Sequence, residues 1–554
     1  MSALRRAGAG LAGAAVLIGV VTATARAVGF SRSWVLSQTV GNGCLNTAYN
    51  TANQVPNIVF EVVAGGALAG AVVPVLAGAV ERGDREHVAR TVSALLTWVI
   101  VVLTPFAALV AVASGPLMDL LVGTPRGCDA GEVVAVAVRM LRVFAPQIVL
   151  YGVAVVLYGL LQSQRRFLAP ALAPLLSSLV VIGAYLVFVP LAGAAAYQGD
   201  LTRLPETAEL TLSIGTTAGA VALVLTALVP ALRTRVPLRP SFTFPPGVAG
   251  RVRALATAGI ATLLAQQASV VVVLVLANDR GGAGALGLYN YAWQIFLLPW
   301  AVLAVPIATS AFTHLSGRHS AGDRDAFDAT AAATTRAVVL VCCLAAAVVA
   351  ATATPVARFF VLGTPGDPDP AVLARALVAF APGLIGYGLV AHLGRTLMAT
   401  GRAGEAAVAT VAGWAVVIVA DVAIALSVPP HWTVPALGLG NTIGMTAAGV
   451  LLLFAVRRAR GREALAGLRR ALLAGALAMA AGYLAGTAVE ALAGEAGRFG
   501  SLGVAAGAAA AALAGFAVVA LPLAGRDLRA VLRRGRTTRR EPDEDSAGNK
   551  EEGA

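Results

Sequence analysis

The chain alternates long apolar runs with short polar breaks. Runs of about twenty residues centre near residues 20, 68, 103, 148, 180, 220, 265, 298, 345, 386, 416, 445, 480 and 511. That length crosses a bilayer as a helix, the open-chain structure that satisfies its own backbone in hydrocarbon. The pattern predicts an all-α polytopic membrane protein of about fourteen transmembrane helices. Arg5 and Arg6 before the first apolar run resemble the start of a signal peptide, but many further spans follow, so the run reads as the first helix.

The polar breaks are not alike. If the N-terminus is cytoplasmic, the inward breaks hold Arg82, Arg85 and Arg90, then Arg165 and Arg166, then a basic stretch from Arg233 to Arg253. Later inward breaks hold Arg318, Arg324, Arg336, Arg402 and the cluster Arg457 to Arg470. The outward loops carry only Arg126, Arg203, Arg280, Arg358 and Arg498. This positive-inside asymmetry predicts a multi-pass membrane protein with both termini cytoplasmic.

The sequence also repeats. Residues 139–161 read RMLRVFAPQIVLYGVAVVLYGLL and residues 375–397 read RALVAFAPGLIGYGLVAHLGRTL, nine identities in 23 positions at an offset of 236. The segment from Tyr49 to Val55 recurs from Tyr289 to Ile295 at an offset of 240. Spans one to six and seven to twelve are therefore duplicates. An even span number gives both halves one orientation, so the pseudo-two-fold axis runs along the membrane normal. The expected organisation is a lobe over 1–235, a second over 236–460, two further spans over 461–524 and a disordered charged tail over 525–554. Two such lobes can rock about a central cavity. Gly29, Pro56, Pro146, Pro299 and Pro382 are candidate hinges, with Pro146 and Pro382 at matched positions.

Composition narrows the chemistry. Hydrophobic residues make up 58% of the chain and charged residues 12%. The formal charge of +13 is almost all arginine, with Lys550 the single lysine. Because those arginines lie in loops between spans rather than on one domain face, nucleic-acid binding is excluded. Cys342 and Cys343, adjacent inside a span, read as small apolar side chains; Cys44 and Cys128, in predicted outward loops, can pair in an oxidising compartment. No metal motif, catalytic constellation or nucleotide-binding segment occurs, so the chain is read as no enzyme and as needing no cofactor. Transport would run on an ion such as sodium, on membrane potential, or by passive equilibration.

A charge at mid-bilayer costs roughly 2.5–3.5 kcal/mol, so each one needs a partner, a water-filled cavity or an interface. Arg139, Arg142 and Arg375 begin spans and Arg395 ends one, where snorkelling is cheap. Arg26 and Arg32 lie deeper in the first helix, about 120° apart around it, and Glu61 in the second span is positioned to neutralise one of them. A guanidinium pair facing a cavity suits a phosphate or diphosphate. Asp421, with Asn441 and Thr442 on the next span, is the candidate site for a coupling cation.

Three segments carry a family resemblance. Arg26-Ala27-Val28-Gly29-Phe30-Ser31-Arg32, the second-span pieces Gln54-Val55-Pro56-Asn57, Ala64-Gly65-Gly66-Ala67 and Val73-Pro74-Val75-Leu76, and the loop from Leu161 to Ala171 resemble the MurJ (MviN) family. That family comprises lipid II flippases within the multidrug/oligosaccharidyl-lipid/polysaccharide exporter superfamily. The resemblance implies that Arg26 and Arg32 grip the lipid's diphosphate, with Asn57, Glu61 and Gln294 completing the substrate site. It implies lipid II or a related polyprenyl-diphosphate lipid as partner, and cell-wall synthesis proteins as possible associates. Phe60 and Gln294 stand where the family carries arginines, and Thr47 and Gly65 where it carries acids. Those departures keep two rivals open: an exporter of another polyprenyl-linked saccharide or hydrophobic compound, and a non-transporting envelope scaffold.

Overall fold

The structure is a computed structural model that describes residues 2–63, 69–193, 200–234, 236–494 and 496–537. Residues 64–67 of the second-span motif, Arg235 and the chain beyond 537 lie outside it, as do the side chains of Arg5, Arg6, Pro74, Arg251 and Arg253. Among the described residues there is no strand.

In chain order the helices are α1 Ser2–Thr39, α2 Cys44–Val62, α3 Ala69–Glu81, α4 Arg85–Val112, α5 Ser114–Val122, α6 Ala130–Phe144 and α7 Gln147–Ser163. Next come α8 Leu168–Ala192, α9 Glu206–Leu232, α10 Val248–Leu276, α11 Ala285–Pro299, α12 Val305–Ser320, α13 Arg324–Ala351 and α14 Ala353–Val361. The last are α15 Pro370–Phe380, α16 Gly383–Ala399, α17 Ala403–Ser427, α18 Thr433–Arg460, α19 Leu468–Ala493 and α20 Gly500–Thr537.

Eleven of the described helices are long and apolar enough to cross a membrane, or twelve when the pair α15–α16, bent by 41°, counts as one span. Of the fourteen predicted runs, those near residues 20 and 68 are outside that count. The first is the continuous helix α1; the second includes residues 64–68, outside the described residues, with α2 before them and α3 after. The final helix continues to Thr537, past residue 525 where a disordered tail was expected, and is broken only at Ala524.

Two compact units form. One comprises residues 1–294, 357–376 and 414–440; the other comprises 295–356, 377–413 and 441–554. The core of the first includes Val72 and Leu76 of α3, Val92 and Leu95 of α4, and Val156 and Leu160 of α7. That of the second includes Leu315, Phe327, Val339, Leu393, Leu452 and Phe516. Within it, α19 and α20 pack on each other and on α13. Gly482 and Gly515 bring the two helices close: a Cβ on Gly482 would meet the Ala512 carbonyl oxygen at 2.8 Å, and one on Gly515 the Ala481 oxygen at 2.9 Å. Small residues at such crossings replace the hydrophobic drive that lipid removes.

Proline explains the two breaks the repeat predicts. Lacking an N–H and clashing with the preceding turn, it kinks or breaks a helix unless its surroundings accommodate it. Pro146 separates α6 from α7, and Pro382 separates α15 from α16. Pro299 closes α11, and the next turn, Trp300–Ala304, is a π-helix. Pro56 is accommodated inside α2. Gly29 lies within unbroken helix with open space beside it.

Candidate functional site

The site is built on α1 and α2. Arg26 is exposed and Arg32 half-buried, and neither forms an ion pair or side-chain hydrogen bond with a described residue. Glu61, on α2, is exposed and likewise unpaired, so the expected neutralisation of Arg26 or Arg32 by Glu61 does not occur. The carboxylate sits on a different helix, and nothing in the local spacing could fix that distance. Arg32 lies within electrostatic reach of the phenols of Tyr49, Tyr151 and Tyr185. Tyr49 Oη in turn bonds Tyr185 Oη at 2.7 Å and Thr216 Oγ1 at 2.8 Å. Tyr151 Oη donates to Gln147 Oε1 at 3.2 Å, so these phenols are engaged elsewhere and no described carboxylate compensates the charge of Arg32.

Gln294 is bonded to the same helix, α1. Its Oε1 accepts from Ser33 Oγ at 2.6 Å, one residue from Arg32. Asn57 makes no side-chain hydrogen bond to a described residue. It belongs to a stripe that the sequence reading missed. Asn46, Asn50, Asn53, Asn57 and Glu61 are spaced by three and four residues along α2, so they fall within an arc of about 80° at 100° per residue. Asn46 and Asn50 are used locally: Asn46 Nδ2 donates to Gly41 O at 2.6 Å and Asn50 Nδ2 to Asn46 Oδ1 at 2.7 Å. Further along, Asn53 Oδ1 is buried without a partner. The helical spacing was the available signal for this polar track.

Arg139, expected at a membrane interface, forms a two-pronged pair with Glu209 of α9. Its Nη2 meets Glu209 Oε2 at 2.6 Å and its Nε meets Oε1 at 2.9 Å, with the carboxylate side chain only 8% exposed. Arg142 Nε donates to Ser114 Oγ at 3.2 Å. Arg375 lies 4.7 Å from the Trp432 ring centroid and 3.4 Å from Asp369. Arg395, half-buried, donates to its own helix at Ala391 O over 2.7 Å.

The candidate cation residues stand as follows. Asp421 is fully buried, and neither carboxylate oxygen has a hydrogen-bond partner. It packs so tightly on Gly440 that a side chain there would strike it. In the second unit, Asn441 Nδ2 donates to Tyr387 Oη at 3.5 Å, and Thr442 Oγ1 donates to Ala379 O at 2.7 Å. No group of three or more His, Cys, Asp or Glu side chains suited to a metal occurs among the described residues.

Cys44 and Cys128 form a disulfide, while Cys342 and Cys343 are free and buried.

Twin repeats of membrane helices, proline-broken fourth and tenth spans and a charged group confined to one repeat define a multi-pass transporter, and relatives give the class a family. The family model described as lipid II flippase MurJ matches residues 36–502. The chain is 26% identical over 383 residues to the lipid II flippase MurJ of Burkholderia cenocepacia, covering 67% of this chain and 69% of that protein. It is 30% identical over 254 residues to the probable lipid II flippase MurJ of Synechocystis, covering 44% and 45% respectively. Its fold matches a solved lipid II flippase MurJ in an inward closed conformation, with a TM-score of 0.69 at 18% identity, over 92% of this chain and 99% of that one. It also matches an inward-facing multidrug resistance transporter of the MATE family, with a TM-score of 0.63 at 14% identity, over 80% and 94%. The chain belongs to the MurJ family, transporters rather than enzymes, and is a multi-pass inner-membrane protein. Arg26 and Arg32 precede the matched residues, so their role rests on their own geometry.

Proposed function

We propose that this protein flips lipid II, the lipid-linked peptidoglycan precursor, from the inner to the outer leaflet for cell-wall synthesis. The observation that carries the reading is the uncompensated guanidinium pair, Arg26 and Arg32, on a membrane helix, neither of them paired with a described carboxylate. An unpaired charge there is stabilised best by a ligand of opposite charge, and a diphosphate matches two guanidinium forks. The sugar-peptide head enters between the lobes while the polyprenyl tail stays in lipid, and rocking of the repeats carries the head across. Both termini face the cytoplasm, as the arginine distribution supports. Coupling runs through sodium or the membrane potential, with Asp421, Asn441 and Thr442 as the residues to test. Cell-wall synthesis proteins are the natural associates.

Phe60 and Gln294, where the family carries arginines, favour a second reading in which the head belongs to another polyprenyl-diphosphate saccharide. Depleting the resident flippase of a bacterial host and expressing this chain decides between them. Restored growth and wall synthesis support lipid II. Stable expression without rescue, together with transport of a different polyprenyl-diphosphate sugar in vesicles, supports the second.

A further inference from the structure

At the arginine-poor end, segments from the two repeats meet within the first compact unit along a seam of hydrogen bonds. One bank is made of two pieces far apart in sequence: the end of α1 with the start of α2, and the end of α5 with the loop after it. The other bank comprises the segments around residues 278–294 and 360–366. Ser37 Oγ and Gln38 Nε2 both donate to Phe360 O, at 2.6 and 2.8 Å. Asn42 N donates to Pro365 O at 2.8 Å, and Gly284 N to Thr47 Oγ1 at 2.9 Å. Ala283 N donates to Arg126 O at 3.0 Å. Asn278 Nδ2 is shared between the two pieces, reaching Thr51 Oγ1 and Leu121 O, each at 2.9 Å. Backbones approach so closely that only glycine serves. Gly284 at φ 73° and Gly366 at φ 87° both press on the backbone of Asn42, where a side chain would be both strained and excluded.

The Cys44–Cys128 bond joins the two pieces of the first bank. Cys44 lies two residues from Asn42, and Cys128 two residues from Arg126, so the bond flanks both backbone bonds of the seam. It crosses nothing itself: both cysteines belong to the first repeat. Each piece alone would offer its donors and acceptors in an independent register, and the opposing bank, which bonds both, requires one register.

We propose that this disulfide is the brace of the seam: it fixes the first bank as one surface and so holds the arginine-poor end shut in the resting transporter. The transport role of the seam rests on the flippase reading above, but the brace itself does not. Removing it frees the two pieces to move separately, and the seam opens more often.

Amide hydrogen exchange on the full-length protein in nanodiscs tests this. In Cys44→Ser/Cys128→Ser, peptides bearing the Asn42 and Ala283 amides should exchange at least tenfold faster, while peptides from α4 keep their rates. Wild-type protein treated with a phosphine reductant provides the same comparison without a folding step, and reoxidation should restore slow exchange. Unchanged exchange at both amides after reduction, a uniform rise throughout the molecule, or free thiols at both positions in protein isolated under oxidising conditions would overturn the proposal. Flipping measured alongside separates the two readings, since faster seam exchange in a protein that never moves lipid leaves the brace standing and removes the flippase.

Discussion

The two repeats share a scaffold and differ in charge, and the difference locates the chemistry. Phe60 packs on Tyr151 with ring centroids 4.7 Å apart, and at the repeat offsets Trp300 packs on Tyr387 at 5.9 Å. Both repeats break the same span at the same proline and carry a nine-residue helix, α5 or α14, after the third span of each half. The charges do not follow. Arg26 and Arg32 correspond to Gln266 and Val272. Arg139 clasps a buried carboxylate, whereas its counterpart Arg375 rests on an indole. A duplicated frame supplies matched hinges for motion, and one repeat has kept or gained the cations.

The largest effect is expected from the first-helix arginines. Replacing both with glutamine removes charge-assisted bonds of about 1.5–3 kcal/mol each, so affinity for a diphosphate lipid should fall by roughly 100- to 10,000-fold. Introducing arginine at Gln266 and Val272 in that background should not restore it, because the account places the anion site on the first helix and not on its counterpart in the second repeat. Recovery of binding would show the repeats to be interchangeable and would break the comparison.

Next is the clasp. Arg139→Ala strands the nearly buried Glu209 carboxylate. The full penalty for a stranded buried charge is about 3–5 kcal/mol, but Arg139 is half-exposed, so about 1–2 kcal/mol is expected. Thermal unfolding in detergent should show a clear drop in Tm, and Arg139→Ala/Glu209→Leu should recover part of it. The corresponding change in the second repeat, Trp432→Leu, should cost only about 0.5–1 kcal/mol, the worth of an exposed cation–π contact. Equal losses at the two sites would erase the asymmetry. Comparable in size are the paired aromatic contacts: Phe60→Leu and Trp300→Leu should each lose about 0.5–1.5 kcal/mol beyond area burial, with similar values in both repeats.

The scaffold was largely legible in the sequence because its signals are local or periodic. Run length predicted the helices, and the Phe-Ala-Pro match predicted that α6–α7 and α15–α16 would break alike. What escaped was non-local or too short to register. The Arg139–Glu209 pair joins residues 70 apart. The nine-residue helices α5 and α14 lie beneath the length that hydropathy resolves. The seam depends on backbone carbonyls such as Pro365 O and Arg126 O, which have no residue signature. Within the site, Arg26 and Arg32 were visible as charges in an apolar run. Their lack of a partner was not, and Glu61 suggested the opposite. The asparagine stripe was readable from its spacing but is hidden among the other polar residues of α2.

The central claim, that anion recognition resides in the first repeat alone, is tested most directly by lipid II binding to the purified protein in nanodiscs. Wild type, Arg26→Gln/Arg32→Gln and the same variant with Gln266→Arg/Val272→Arg are to be compared at matched thermal stability. The account predicts binding for wild type and a loss of about a hundredfold or more for both variants. Undiminished binding without Arg26 and Arg32 would contradict it.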